Sequence, residues 1–285
     1  MKITYLGTTV LLFDDGEDQI LFDAHITRTP ILRAFTGKLK TDTAMADRLI
    51  ERYGIDRLRA IFVSHSHFDH VMDMPYFANR CGADVYGSAS TLNVARGGGV
   101  PEEKLSLFDL ENVCGIGRYR ITVLKSLHSK ARWYNDDLGQ TIDEPLNQPA
   151  RKNAYKEGGS YDFVVENDGK RYLIRPSFNS IPGQLDGIKA DVFFAGIGGL
   201  SKASDEERKA FFAETVDKVE PRLVIPVHWD NFFVSLDRKV QGMPKFAEDS
   251  RASLTILKEE CAARGIPCRV VMPLKTCPLE AAANG

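Results

Sequence analysis

No apolar run in the 285 residues approaches the ~20 needed to cross a bilayer as a helix. Nor is there an excess of one charge: 37 Lys and Arg stand against 39 Asp and Glu, so the footprint of a non-specific nucleic-acid binder is missing. The five cysteines, Cys81, Cys114, Cys261, Cys268 and Cys277, are odd in number and scattered, without a Cys-x-x-Cys pair. That argues against a disulfide framework and a thiolate zinc site, and the five read as reduced thiols. Met1 runs into the strand-like Ile3-Thr4-Tyr5-Leu6 without a basic or apolar leader. Together these absences predict a cytoplasmic location, a small-molecule substrate, and neither membrane nor nucleic acid as partner. The glycine runs carry no nucleotide chemistry either. Gly196-Ile197-Gly198-Gly199 misses the dinucleotide spacing, Gly97-Gly98-Gly99 lacks the Lys-Ser/Thr ending of a phosphate loop, and no Gly-x-Ser-x-Gly elbow presents a serine nucleophile.

What is there is a mixed α/β pattern, 43% hydrophobic, read as one domain over residues 1–285. Short apolar or alternating runs at 2–6, 10–13 and 19–22 predict a meander, with Asp14-Asp15-Gly16 as turn chemistry between the last two. Helical spacing of Ala44, Met45, Leu49 and Ile50, with Gly54 as the stop, precedes a buried strand at 58–63. Further strands are expected at 84–86, 119–124, 162–165, 172–174, 191–195 and 223–227, and helices at 205–219 and 250–263. The polar stretch 129–159, with Pro145, Pro149 and no period, is a loop insertion too long to be a simple connection. It is either a substrate loop or a mobile surface segment, with Trp133, Tyr134 and Tyr155 available to anchor it.

The chemistry concentrates in Ser64-His65-Ser66-His67-Phe68-Asp69-His70, directly after an apolar strand. Four potential metal ligands in six residues serve no packing purpose and would need desolvated partners unless a cation organised them. Alternation along an extended segment puts His65 and His67 on one side, within reach of one metal, while the turn through Asp69 and His70 directs those two toward a neighbour.

His65, His67, Asp69 and His70 match the His-x-His-x-Asp-His motif without departure, and in this the chain resembles the metallo-β-lactamase superfamily. The resemblance implies a four-layer αβ/βα sandwich and places two further ligands after later strands, where His128 and His228 stand. It implies two divalent metal ions, zinc first with manganese or iron also suited: one on His65, His67 and His128, the other on Asp69, His70 and His228. Asp69 would also orient the attacking water and accept its proton. It further implies that Asp23 supports a ligand histidine from behind, and Asp230 is a candidate for the same role beside His228. His25 is a substrate contact or a surface residue. Where the superfamily commonly has a bridging aspartate, Arg175-Pro176 leads to Ser177, so solvent alone is expected between the metals unless Asp186 loops back. The opening Lys2-Ile3-Thr4-Tyr5-Leu6-Gly7 and the run Pro226-Val227-His228-Trp229-Asp230 look most like the ascorbate-phosphate-lactonase subgroup, although Thr8 and Thr9 stand where that subgroup commonly has a histidine. Hydrolysis of a small ester, lactone or amide is the leading expectation. The alternatives are a phosphodiesterase or nuclease of the same fold, and a metal-dependent sensor without enzymatic activity.

Overall fold

The computed structural model describes residues 1–132 and 135–279, so Trp133 and Tyr134 lie outside the described residues. Strands β1 (Lys2–Gly7), β2 (Val10–Asp14) and β3 (Gln19–Phe22) open the chain, followed by β4 (Leu58–Phe62), β5 (Asp84–Gly87) and β6 (Leu105–Leu107). Strands β7 (Cys114–Ile116), β8 (Tyr119–Ser126), β9 (Ser160–Asn167), β10 (Lys170–Arg175), β11 (Val192–Gly196) and β12 (Leu223–Val227) come next, and β13 (Lys275–Thr276) closes the set. The helices are α1 (Ile31–Thr36), α2 (Thr43–Tyr53), α3 (Phe68–Val71), α4 (Met74–Cys81), α5 (Ala89–Gly97), α6 (Asp205–Glu214), α7 (Val216–Val219) and α8 (Ser250–Ala263).

One sheet runs β13-β1-β2-β3-β4-β5-β6 and the other β12-β11-β10-β9-β8-β7. Strand periodicity sorts the side chains between two cores. Ile3, Tyr5, Leu11, Phe13, Ile20 and Phe22 face the second sheet and meet Ile121, Phe163, Tyr172 and Ile174. The alternate residues Leu12 and Leu21, with Ile61 and Val85, pack instead on Met45 and Leu49 of α2, Phe77 of α4 and Leu92 of α5. On the far side Phe211, Val216 and Leu257 from α6, α7 and α8 complete the layers. The expected four-layer αβ/βα sandwich is therefore the observed one.

The caps follow the sequence signals. Asp42 accepts a bond from Met45 N, and Gly54 ends α2 in the left-handed region at φ 58°, as predicted. The single helix expected at 205–219 is broken at Thr215, whose Oγ1 donates to the Phe211 carbonyl at 2.5 Å and so takes the acceptor a continuing helix would use. Helices α1, α4 and α5 were not foreseen; α4 has only eight residues, too few for the buried face of Met74, Phe77 and Ala78 to stand out as a period. Among the described residues, no helix is long and apolar enough to cross a membrane. Among its described residues, the segment 129–159 has almost no regular structure beyond a 3-10 turn at Lys152–Ala154 and a bridge pairing Leu39 with Ala150. Tyr155 is its buried anchor.

Arg175 ends β10 wholly buried, its Nε donating to Asp162 Oδ2 at 2.9 Å, its Nη1 to the Asn179 carbonyl at 2.9 Å and its Nη2 to Gln184 Oε1. These bonds hold the turn that carries Ser177. Burial pushes the Asp162 carboxyl up even with the guanidinium beside it. Because removing one partner strands a buried charge, Arg175→Leu should destabilise the fold by about 3–5 kcal/mol. Denaturant unfolding checks this, and a loss under about 1 kcal/mol contradicts it.

Candidate metal centre

Strand β4 delivers the motif: Val63 and Ser64 continue it, His65 and His67 follow in extended chain, and α3 then turns Asp69 and His70 inward. His128 lies two residues beyond β8, and His228 follows β12 directly. The six residues assemble as two groups of three, His65 with His67 and His128, and Asp69 with His70 and His228, each group's nitrogen or oxygen atoms lying within 4.8 Å of one another. The rings crowd together, with centroids 3.8 Å apart for His65 and His70, 4.7 Å for His67 and His128, and 5.2 Å for His70 and His228. Asp69 Oδ2 faces both partners of its group, 3.4 Å from His228 Nε2 and 3.7 Å from His70 Nε2.

Three of the rings have one nitrogen engaged away from their group. Nδ1 of His65 meets Ser64 Oγ at 3.1 Å, Nδ1 of His128 donates to the Ser129 carbonyl at 2.9 Å, and Nδ1 of His70 lies 2.7 Å from Asp23 Oδ2. Asp23 also accepts from Ser64 N at 2.7 Å and from Thr9 Oγ1 at 2.5 Å, and it sits in the left-handed region at φ 54° to do so. The expectation for Asp23 thus meets a direct contact, and Thr9 stands in the same cluster. The other nitrogens of His65 and His70, their Nε2 atoms, are buried without a hydrogen-bond partner. Burial, and after it the neighbouring rings His70 and His128, hold His65 well below the usual histidine range; burial and then His67 lower His128 to about 3. On His228 burial opposes the charge but the Asp69 carboxylate outweighs it, so its pKa rises. Two buried imidazole nitrogens without a hydrogen-bond partner, beside a carboxylate held ionised, fit a divalent cation, because each can offer it a lone pair.

Residues 4–145 match the family model described as the metallo-beta-lactamase superfamily, a span holding His65, His67, Asp69, His70 and His128. The chain belongs to the metallo-β-lactamase superfamily. A UPF0173 metal-dependent hydrolase of Anaeromyxobacter dehalogenans is 27% identical over 68% of this chain, which spans 64% of that relative's length. One from Roseiflexus castenholzii is 23% identical over 94% of this chain and 93% of its own. Among solved structures, the metallo hydrolase Igni18 of Ignicoccus hospitalis superposes over 97% of both chains with a TM-score of 0.61 at 15% identity, a likeness of fold alone.

Other expected residues stand differently. Asp230 makes none of its hydrogen bonds to the His228 ring: it accepts from Tyr5 Oη at 2.5 Å and Thr8 N at 2.8 Å and pairs with buried Arg28 at 3.1 Å. It fixes the turn instead, since the Thr8 carbonyl accepts from His228 N. Asp186 is exposed, paired with Lys218, and belongs to neither group, so it does not loop back. Ser177 is buried and lines the cavity with Asp69 and His228. Sequence reasoning missed Asp137, which stands 3.1 Å from His67 Nε2. It also missed Asp73, which accepts from Ile26 N, Thr27 N and Thr27 Oγ1 at 2.7–2.8 Å and so holds the chain after β3.

His25 is neither on the surface nor among the cavity residues. It is 1% exposed, edge-on to Phe68 and Phe232, both ring nitrogens unpartnered. Burial, then the charge of Arg28, lowers its pKa from 6.5 to about 3. The unfolded chain therefore binds the extra proton between these values and the folded chain does not, so stability falls as pH drops through that window, by at most about 1.4 kcal/mol per pH unit. In metal-free protein, His25→Leu should gain thermal midpoint relative to wild type as pH falls from about 7 to 5. A pH-independent difference between the two contradicts this.

Proposed function

We propose that this chain is a metal-dependent hydrolase acting on a small ester, lactone or amide with an apolar arm, through two divalent ions, zinc first. The supporting observation is that the two groups of ligand atoms face one cavity whose wall is largely apolar. His65, His67 and His128 would hold one ion and Asp69, His70 and His228 the other. Ions so held lower the pKa of bound water toward neutrality and polarise the acyl oxygen.

The remaining work falls to the chain. Asp69 lines the cavity, where burial pushes its pKa up but His70 and His228 outweigh that and keep it ionised, ready to orient a water and accept its proton. Ser177 offers a neutral hydroxyl where a carboxylate would bind more strongly, so the second group holds its ion more loosely than the first. Ile31, Phe35, Phe68, Phe232, Phe233 and Met243 form the apolar wall, which excludes water and receives the substrate's arm. A second reading, phosphodiester cleavage, is favoured by Arg132, Lys152 and Lys156 in the same lining.

Zinc-loaded protein assayed on nitrophenyl esters, lactones and bis-nitrophenyl phosphate separates these readings. Ester or lactone turnover is expected, and His67→Ala and Asp69→Asn should each lower it by about 10²–10⁴-fold with the thermal midpoint little changed. Near-wild-type turnover by either variant rejects the site. Phe35→Ala should raise KM for butyryl over acetyl esters while sparing kcat for acetate; equal effects on both esters would show that the wall does not read the arm.

A further inference from the structure

Asp137 comes from the irregular segment after β8, far from the motif in sequence, yet its carboxylate reaches His67 Nε2 at 3.1 Å with side-chain exposures of only 14% and 10%. A carboxylate there accepts the Nε2 proton and leaves the Nδ1 lone pair for a cation. The arrangement mirrors that of Asp23, which engages His70 Nδ1 and leaves Nε2 orphaned. Each group of ligands then has one histidine steered by an acid.

The segment carrying Asp137 is tied down around the motif itself. Ser66, between the two ligand histidines, donates its N–H to the Glu157 carbonyl at 3.0 Å and its Oγ to the Lys156 carbonyl at 2.8 Å. The buried Glu157 carboxylate accepts from Gly139 N at 2.9 Å and Ser160 Oγ at 2.6 Å, and Gly158 N donates to the Gln140 carbonyl at 2.9 Å, closing a ring around Asp137. Ile142 N donates to Ser90 Oγ at 2.9 Å, and Leu146 N to the Asn93 carbonyl at 3.0 Å, which fastens the far side to α5. At Gly158 a Cβ would collide with Ser66 Oγ and Ser90, and the backbone is left-handed at φ 66°. The strap therefore closes only with glycine there.

We propose that Asp137 is a positioning residue for His67, and that the strap through Glu157 and Gly158 sets its place and so couples this segment to the affinity of the first metal. The inference rests on the metal reading above. It is tested by cobalt(II) titration of metal-free protein, following the visible absorption band and competition with a chelator. Asp137→Asn should weaken the first equivalent about 10- to 100-fold and alter its band, with the unliganded fold unchanged by circular dichroism. Asp137→Glu should recover part of the affinity. Gly158→Ala should reproduce the weakening, and the double variant should be little worse than either alone, since both act through one contact. Wild-type affinity and band in Asp137→Asn overturn the inference while leaving the metal reading intact. Loss of the first site altogether, unrescued by Glu, also overturns it by marking Asp137 as a ligand. If the wild-type chain binds no cobalt, the metal reading and the inference fall together.

Discussion

Five imidazole rings and a carboxylate crowd one site, and much of the surrounding architecture keeps them there. A buried, unpartnered polar nitrogen costs on the order of 1–3 kcal/mol, and His65 and His70 each carry one. Neither the motif loop nor the later turns could bear that alone. The two sheets provide a rigid frame, and β4, β8 and β12 bring their ends to one rim. Backbone strain collects at the same rim: Thr8, Asp23 and His228 are all left-handed, at φ 55°, 54° and 60°. Strain of that kind persists where bonds overdetermine it. Here the bonds are those of Asp23 to Ser64, Thr9 and His70, and of Asp230 to Tyr5 and Thr8.

Legibility in the sequence depended on whether a residue belongs to a contiguous motif or to a place that the family resemblance assigns. His65 to His70 could be read because the group is contiguous and follows an apolar run. His128 and His228 could be placed because the resemblance expects ligands after later strands, and both stand just beyond a strand end. Asp137 could not be, because its meaning depends on a strap folded back by Glu157 and Ser66, and nothing periodic marks it. His25 was misjudged although a signal existed: Ala24 and Ile26 flank it, and both are fully buried. Asp230 follows His228 closely in sequence, but the turn sends its carboxylate toward Arg28. Most strands and helices α2 and α8 emerged from period and turn signals, whereas α4, only eight residues long, gave too short a period to find.

The two ligand groups differ in kind. One is all imidazole, held by Ser64, Ser129 and Asp137; the other adds the Asp69 carboxylate and has Ser177 nearby rather than a second acid. The cavity above them is shared between an aromatic wall and the strapped segment with its cations. On the proposed reading, the motif and strand ends would carry the reaction chemistry, and the residues of α1, the strap and the stretch after β12 that line the cavity would carry substrate choice.

The central claim is that these six side chains form two adjoining metal sites. Anomalous diffraction from crystals of zinc-loaded protein, collected on both sides of the zinc edge, tests it directly. Two peaks about 3.5–4 Å apart are predicted, one ringed by His65, His67 and His128, the other by Asp69, His70 and His228, with no carboxylate oxygen between them. A single peak, peaks away from these residues, or a carboxylate bridging the pair would contradict the account.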